Sequence, residues 1–276
     1  MIQNTEQDLI HIIYRKHLSV TEQTIPYLIA HRGYPACYPE NTLAGLEAAM
    51  LAGTCFVEID IQLSARRTPF LCHDDHLRRL TGTDHCLTQL DDSVINMLSV
   101  PYPDSGLAGT PETESLSDLI TFCQLLQEWP WVTAFVEIKL ESIAKFGLTA
   151  TMDAILEVIH PYHKQCVIIS FDARAVAFAR RQDAARIGWV VPKWDNEHGI
   201  IAKQLAPEFL FCSTSRLPHD SHERWQGPWQ WVVYTVNDSH TALRYADEGV
   251  FLIETDTIGA LLQHPLLKKN ACIQSL

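Results

Sequence analysis

Two short apolar runs, Val57-Glu58-Ile59-Asp60-Ile61 and Val136-Glu137-Ile138-Lys139-Leu140, carry ionisable residues at every second position. Side chains alternate faces along a strand, so Glu58 and Asp60 share one side of the first run, and Glu137 and Lys139 share one side of the second. On a half-exposed antiparallel strand such a face simply meets water. In a parallel barrel both faces are covered, and an ionised group on the inner face is costly unless it is paired or bound to a metal. Glu58, Asp60 and Glu137 converging on one mouth would repel one another, and a divalent cation would relieve that repulsion. An oxygen-only set favours Mg²⁺, Ca²⁺ or Mn²⁺ over zinc.

Two histidines close short strand-type runs, His31 after Tyr27-Leu28-Ile29-Ala30 and His73 after Pro69-Phe70-Leu71-Cys72. The C-terminal ends of barrel strands are where catalytic groups sit, and imidazole both takes and gives a proton near neutral pH. With 13 His in the chain, most have no special task, and position is what singles out these two. Arg32 is either a surface ion-pair partner or a fork for phosphate oxygens. Lys139 either balances the carboxylates or offers a second positive charge to a substrate.

The elements that must position these residues alternate along the chain. Strand-type runs recur at 27–30, 56–63, 69–72, 132–140, 166–171, 187–191, 209–212, 231–236 and 251–253, most of them separated by helical pattern. Leu43, Leu46 and Met50 share a helical face between a cap candidate, Asn41, and Gly53. Leu116, Leu119, Ile120 and Cys123 repeat that spacing behind Ser115 and Asp118, as do Ala242, Leu243 and Ala246 between Asp238 and Gly249. Such alternation predicts a parallel α/β fold, and this many repeats favours a closed TIM-type (β/α)8 barrel. Nine strand candidates exceed the eight a barrel needs, so one belongs elsewhere. Residues 1–25 read as an extra N-terminal helical extension and 26–276 as a single barrel domain. A Pro- and Gly-bearing stretch of about 74–113 reads as an insertion after the third strand, with one short helix near 92–98.

Composition narrows the function classes. The 276 residues carry 33 Asp+Glu against 21 Lys+Arg, a formal net charge of −12, which disfavours nucleic acid and anionic membrane surfaces as partners. No run reaches the roughly 18 apolar residues of a membrane helix, and the apolar stretch near Leu9 to Tyr14 precedes Arg15 and Lys16, the reverse of a signal peptide. A cytoplasmic location without stable membrane insertion is the expectation. The 8 Cys show no CxxC spacing, and reduced, mostly buried thiols are expected.

His31-Arg32-Gly33, Pro39-Glu40-Asn41-Thr42, Glu58-Ile59-Asp60 and His73-Asp74-x-x-Leu77-x-Arg79-x-Thr81 follow one another in order. Glu137-Ile138-Lys139, Ser170-Phe171-Asp172, Thr235-Val236-Asn237 and Thr255-Asp256 continue the series. This ordered set, covering roughly residues 27 to 262, closely resembles the glycerophosphodiester phosphodiesterases. The resemblance implies a TIM-type barrel in which Glu58, Asp60 and Glu137 hold one divalent cation, Mg²⁺ or Ca²⁺ with Mn²⁺ admitted. It implies that His31 and His73 act as acid and base and that Arg32 and Lys139 bind phosphate. Glu40 and Asn41 match positions that order the first loop, though helix capping explains Asn41 equally well. The implied reaction is hydrolysis of a small glycerophosphodiester to glycerol 3-phosphate and an alcohol.

Three departures from the family pattern stand out. Tyr234 occupies a position usually held by Trp, Glu254 lies in a block that is usually apolar, and Ala65-Arg66-Arg67 replaces a common Asp-Gly turn. None removes a proposed metal ligand or histidine. Two competing readings remain: lysophospholipid or sphingolipid cleavage on the same site, for which Val94, Ile95, Met97, Leu98, Val100 and Tyr102 would supply an apolar mouth, and a non-catalytic barrel that binds phosphodiesters.

Overall fold

The computed structural model describes residues 24–103, 113–182, 184 and 186–272. Eight parallel strands close on themselves: β1 (Tyr27–Ala30), β2 (Phe56–Leu63), β6 (Thr133–Ile138), β7 (Cys166–Ser170), β8 (Ile187–Val190), β9 (Phe209–Ser213), β10 (Gln230–Tyr234) and β11 (Leu252–Thr255). β1 pairs with both β2 and β11, which completes the TIM-type barrel.

The surplus strand candidate is β3 (Pro69–Leu71). It runs antiparallel to the end of β2, pairing Ile61 with Leu71 and Leu63 with Pro69, and so forms a hairpin outside the barrel count. The third strand in chain order is therefore not a barrel strand, and the insertion lies between the second and third strands of the barrel. Within it, the short helix Asp92–Ile95 sits where expected, and β4 (Ser99–Pro101) pairs with β5 (Thr113–Ser115) as a two-stranded ribbon. The expected N-terminal helical extension falls almost wholly on residues 1–23, outside the described residues.

Period-two alternation divides the interior. Ile29, Phe56, Phe135, Val167, Ile169, Val190, Phe209, Phe211, Val232 and Leu252 fill the barrel, while their strand neighbours pack outward against the helices. Ile95 and Val100 of the insertion are buried in a cluster of their own with Phe70, Leu77, Leu87 and Leu116, and Leu98 packs against it. Val94 and Met97 are 38% and 75% exposed. Half of the six apolar residues that could have lined a lipid-binding mouth are thus spent on this small core.

Helix ends follow local chemistry. The helix α1 (Leu43–Leu51) is capped by Thr42, whose hydroxyl accepts from the Gly45 N–H, and not by Asn41. Asp118 caps Leu119–Gln127 and Asp238 caps Ser239–Asp247, as the sequence implied, although Ser115 lies in β5 and takes no part in the cap. Between β9 and β10 the connection holds only a single 3₁₀ turn, Ser221–Glu223, where the barrel repeat calls for a helix. Aromatic side chains cover the gap: Trp225 stacks on Trp194 at 4.2 Å and rests on Gly199 of the helix Asn196–Leu205.

Cys55 and Cys272 form a disulfide across 217 residues of sequence, correcting the expectation of reduced thiols throughout. Barrel closure brings the start of β2 to the C-terminal segment, where the Cys272 N–H donates to the Gly53 carbonyl at 2.8 Å. The other six cysteines are free. No helix among the described residues is long and apolar enough to cross a membrane.

Candidate functional site

Strand register assembles the acidic centre at the C-terminal mouth of the barrel. Asp60 of β2 stands directly opposite Glu137 of β6, and Glu58 lies one inward position deeper. Ligand atoms of Glu58, Asp60 and Glu137 lie within 4.8 Å of one another, and all three residues are buried. Lys139, just past the end of β6, donates to Glu137 Oε1 at 2.7 Å and to Asp60 Oδ1 at 3.1 Å.

The loop after β1 supplies the other side of the centre. Arg32 adopts a left-handed backbone conformation, φ 54°, which turns its N–H onto Glu58 Oε2 at 3.1 Å. Its guanidinium lies 3.1 Å from Asp60 Oδ2 through Nε and donates to Glu40 Oε1 at 3.1 Å through Nη1. Gly33 follows at φ 89°, where a Cβ would lie 2.8 Å from the Gly45 backbone, so this tight entry into α1 requires glycine. Asn41, also left-handed at φ 56°, grips Asp60 twice: Nδ2 donates to Oδ2 at 2.9 Å, and Oδ1 accepts from the Asp60 N–H at 3.1 Å. Asn41 thus holds an acidic side chain in place and leaves capping to its neighbour.

Each histidine is oriented by a carboxylate. His31 Nδ1 lies 2.6 Å from Asp256 Oδ1, and Asp256 is itself held by Asn237 at 2.9 Å. His73 Nδ1 lies 2.6 Å from Asp74 Oδ1. In both rings Nε2 remains for the site. His73 arrives by an unexpected route: β3 runs back from the rim, and the Cys72 N–H donates to the Asp60 carbonyl at 2.9 Å. His73 therefore ends an antiparallel hairpin and not a parallel barrel strand. It shares a cavity of about 660 Å³ with Asp74, His76, Glu137, Lys139 and Phe171, a volume within the usual range of ligand sites.

The electrostatics are those of crowded, buried carboxylates. Burial pushes the Glu58 carboxyl well above its ordinary value, and Asp60, Glu254 and Glu137 push it further. Glu137 is raised first by burial as well, against the opposing pull of Lys139. For Asp60 burial is outweighed by Lys139 and Arg32, which hold its carboxyl below the usual range. Burial lowers His73, whereas for His31 burial is overcome by the Asp256 hydrogen bond and the Glu254 charge, leaving it raised. Glu58 Oε1 is buried with no hydrogen-bond partner. An orphaned carboxylate oxygen among hard oxygen donors is what a divalent cation would satisfy, so the residues present fit such an ion.

Every residue singled out in the sequence reaches this mouth: His31, Arg32, Glu40, Asn41, Glu58, Asp60, His73, Glu137 and Lys139. Asp256 and Asp74, named in the sequence only as parts of the family motifs and given no role there, are the carboxylates that orient the histidines. Arg79, likewise given no role in the sequence, donates to Glu40 through both terminal nitrogens at 2.7 Å and to Asp74 through Nε, linking the Arg32 and His73 sides. Glu254, noted only as a departure, faces the interior of β11 beside His31 and Glu58. The alternation that picks out Glu58 and Asp60 also picks out Glu254 and Asp256.

Comparison with known proteins agrees with this architecture. The model of the glycerophosphoryl diester phosphodiesterase family matches residues 31–260. An Oleispira antarctica phosphodiesterase, solved in complex with the product sn-glycerol-3-phosphate, superposes with a TM-score of 0.75 at 23% identity, covering 87% of this chain and 96% of that one. A glycerophosphodiester phosphodiesterase from Parabacteroides distasonis gives 0.70 at 18% identity over 88% and 97% of the two chains. A 57-residue stretch is 45% identical to the human glycerophosphoinositol inositolphosphodiesterase, covering 21% of this chain but only 11% of that protein. With more than three quarters of its length matched by the family model, the chain belongs to the glycerophosphoryl diester phosphodiesterase family.

Proposed function

We propose that the chain hydrolyses glycerophosphodiesters to glycerol 3-phosphate and an alcohol, with one divalent cation, Mg²⁺, Ca²⁺ or Mn²⁺, held by Glu58, Asp60 and Glu137. The observation that carries this reading is the convergence of three buried carboxylates, one with an orphaned oxygen, next to two histidines that keep Nε2 for the site. The cation supplies Lewis-acid stabilisation of phosphoryl charge when bound.

The protein's own groups do the rest. Arg32 and Lys139, fixed by their carboxylate partners, present the remaining guanidinium and ammonium N–H groups to the non-bridging phosphate oxygens. Water adds to phosphorus as one histidine takes its proton, and the phosphorus–oxygen bond to the alcohol breaks as the other histidine protonates the departing oxygen. Asp256 and Asp74 fix the orientation of the two rings and favour the tautomer with the proton on Nδ1. The three metal-site carboxylates exceed Arg32 and Lys139 by one negative charge. A divalent cation offsets that excess, so that the centre can accept an anionic phosphodiester.

The test is release of glycerol 3-phosphate from glycerophosphocholine and glycerophosphoethanolamine by chelator-stripped protein with each cation restored. Turnover is expected to require a cation and to fall about 10²- to 10⁴-fold in His31→Ala and in His73→Ala. Turnover that survives excess chelator, or that is unchanged in both variants, would overturn the reading. The closed apolar cluster of the insertion leaves lysophospholipid as the poorer substrate in the same assay.

A further inference from the structure

The acidic centre extends beyond the three residues assigned above. A second group, His31, Glu58 and Glu254, also brings one ligand atom from each residue within 4.8 Å of the others. Glu254 is 3% exposed and faces the barrel interior in register with Ile29; its backbone carbonyl accepts from the Val236 N–H at 2.9 Å, but its carboxylate takes no hydrogen bond among the described residues. A buried carboxylate without a partner is costly, and nothing in the proposed hydrolysis uses it.

The two groups differ in chemistry. Glu58, Asp60 and Glu137 offer oxygen alone, whereas the second group adds an imidazole nitrogen. His31 is already set up as a metal ligand would be: Nδ1 is engaged by a carboxylate at 2.6 Å, which leaves Nε2 as the free nitrogen of a ring that lies against Glu58 and Glu254. One histidine and two carboxylates with an open fourth position suit zinc-class cations far better than Mg²⁺ or Ca²⁺. Glu58, with one oxygen on the Arg32 N–H and the other orphaned, is common to both groups.

We infer that His31, Glu58 and Glu254 form a second, zinc-class cation site, and that its occupation arrests turnover by capping His31 Nε2. The consequence for turnover rests on the proposed hydrolysis, whereas the site itself does not. A cation on Nε2 occupies the lone pair that would take a proton, so His31 is lost to acid–base chemistry while the oxygen-only site keeps its own ion.

The experiment measures Zn²⁺ uptake by equilibrium dialysis in saturating Mg²⁺, together with glycerophosphocholine turnover under the same conditions. Wild-type protein is expected to take up one Zn²⁺ per chain and to lose turnover by about 10²-fold or more, the size of a lost acid–base group. Glu254→Ile and Glu254→Gln are expected to lose that equivalent of Zn²⁺ and to escape inhibition, each variant's own Mg²⁺-supported turnover being the reference. The isosteric Gln variant guards against a packing defect in the Ile variant. Zn²⁺ uptake unchanged in both variants, or inhibition that disappears as Mg²⁺ rises, would overturn the inference and leave the hydrolytic reading intact. Glu254-dependent Zn²⁺ uptake by a wild-type protein without turnover would do the reverse: the site would stand, and the hydrolytic reading and its inhibition would fall.

Discussion

Asn41 shows how much of the centre depends on residues that touch neither proton nor cation. Its left-handed backbone and two hydrogen bonds to Asp60 fix a carboxylate that otherwise leans on Arg32 and Lys139. Asn41→Ala would leave the buried Asp60 N–H without its acceptor and Oδ2 without its amide donor, costing about 1–3 kcal/mol. Loss of such a supporting contact is expected to weaken cation binding about 10- to 100-fold, read by titration calorimetry with Mg²⁺ or Ca²⁺. An affinity equal to wild type would refute this role. At this scale the sequence was informative where the strand period could be used: Glu58 with Asp60 and Glu137 with Lys139 are legible because alternation fixes their faces. Asn41 was ambiguous because capping and carboxylate binding ask for the same side chain. The roles of Arg79 and Asp256 were opaque because their contacts with Glu40 and His31 span 39 and 225 residues, and no local rule reaches that far.

The elements were legible wherever a repeat was intact and opaque where it broke. Strand and helix alternation announced a barrel, and helix caps at Asp118 and Asp238 fell where their residue types required. The hairpin strand β3 was indistinguishable from a barrel strand, because a short apolar run encodes burial and not direction. The break between β9 and β10 is the converse case, a connection that fills a helix-sized gap with aromatic side chains. Trp225 stacks on Trp194 and lies against Gly199, which has no side chain to hold it off. Trp225→Ala is therefore expected to cost about 3 kcal/mol, the low end for a large aromatic because the ring is only partly buried. Urea unfolding would show the loss, and kcat/KM should be unaltered because the cluster packs on the outer wall, against the helices. A fall in kcat/KM at full stability would contradict that separation of wall from mouth.

Across the whole molecule, the acidic centre couples cation binding to stability through protons. In cation-free protein, burial raises Glu254 to about 7, with Glu137 and Asp60 adding to the shift, and raises Glu58 and Glu137 as well. These groups hold protons more tightly folded than unfolded, so the stability they contribute is complete below their unfolded value. It is lost as pH rises through the folded values, about 7 for Glu254. Asp60, Asp74, Asp256 and Glu40 are lowered, so their contribution is present above the ordinary carboxylate range and disappears only as pH falls below it. His31, raised, and His73, lowered, act in opposite directions. Between about pH 5 and pH 8 the raised carboxyls therefore decide the sign, and Tm in chelator should fall with rising pH. A cation binds the ionised carboxylates and releases their protons, so its stabilisation should grow over the same window. Calorimetric melts with and without saturating Mg²⁺ should diverge as pH rises. Parallel curves would mean that the carboxylates are already ionised without a cation, and that burial is offset by Arg32 and Lys139 alone.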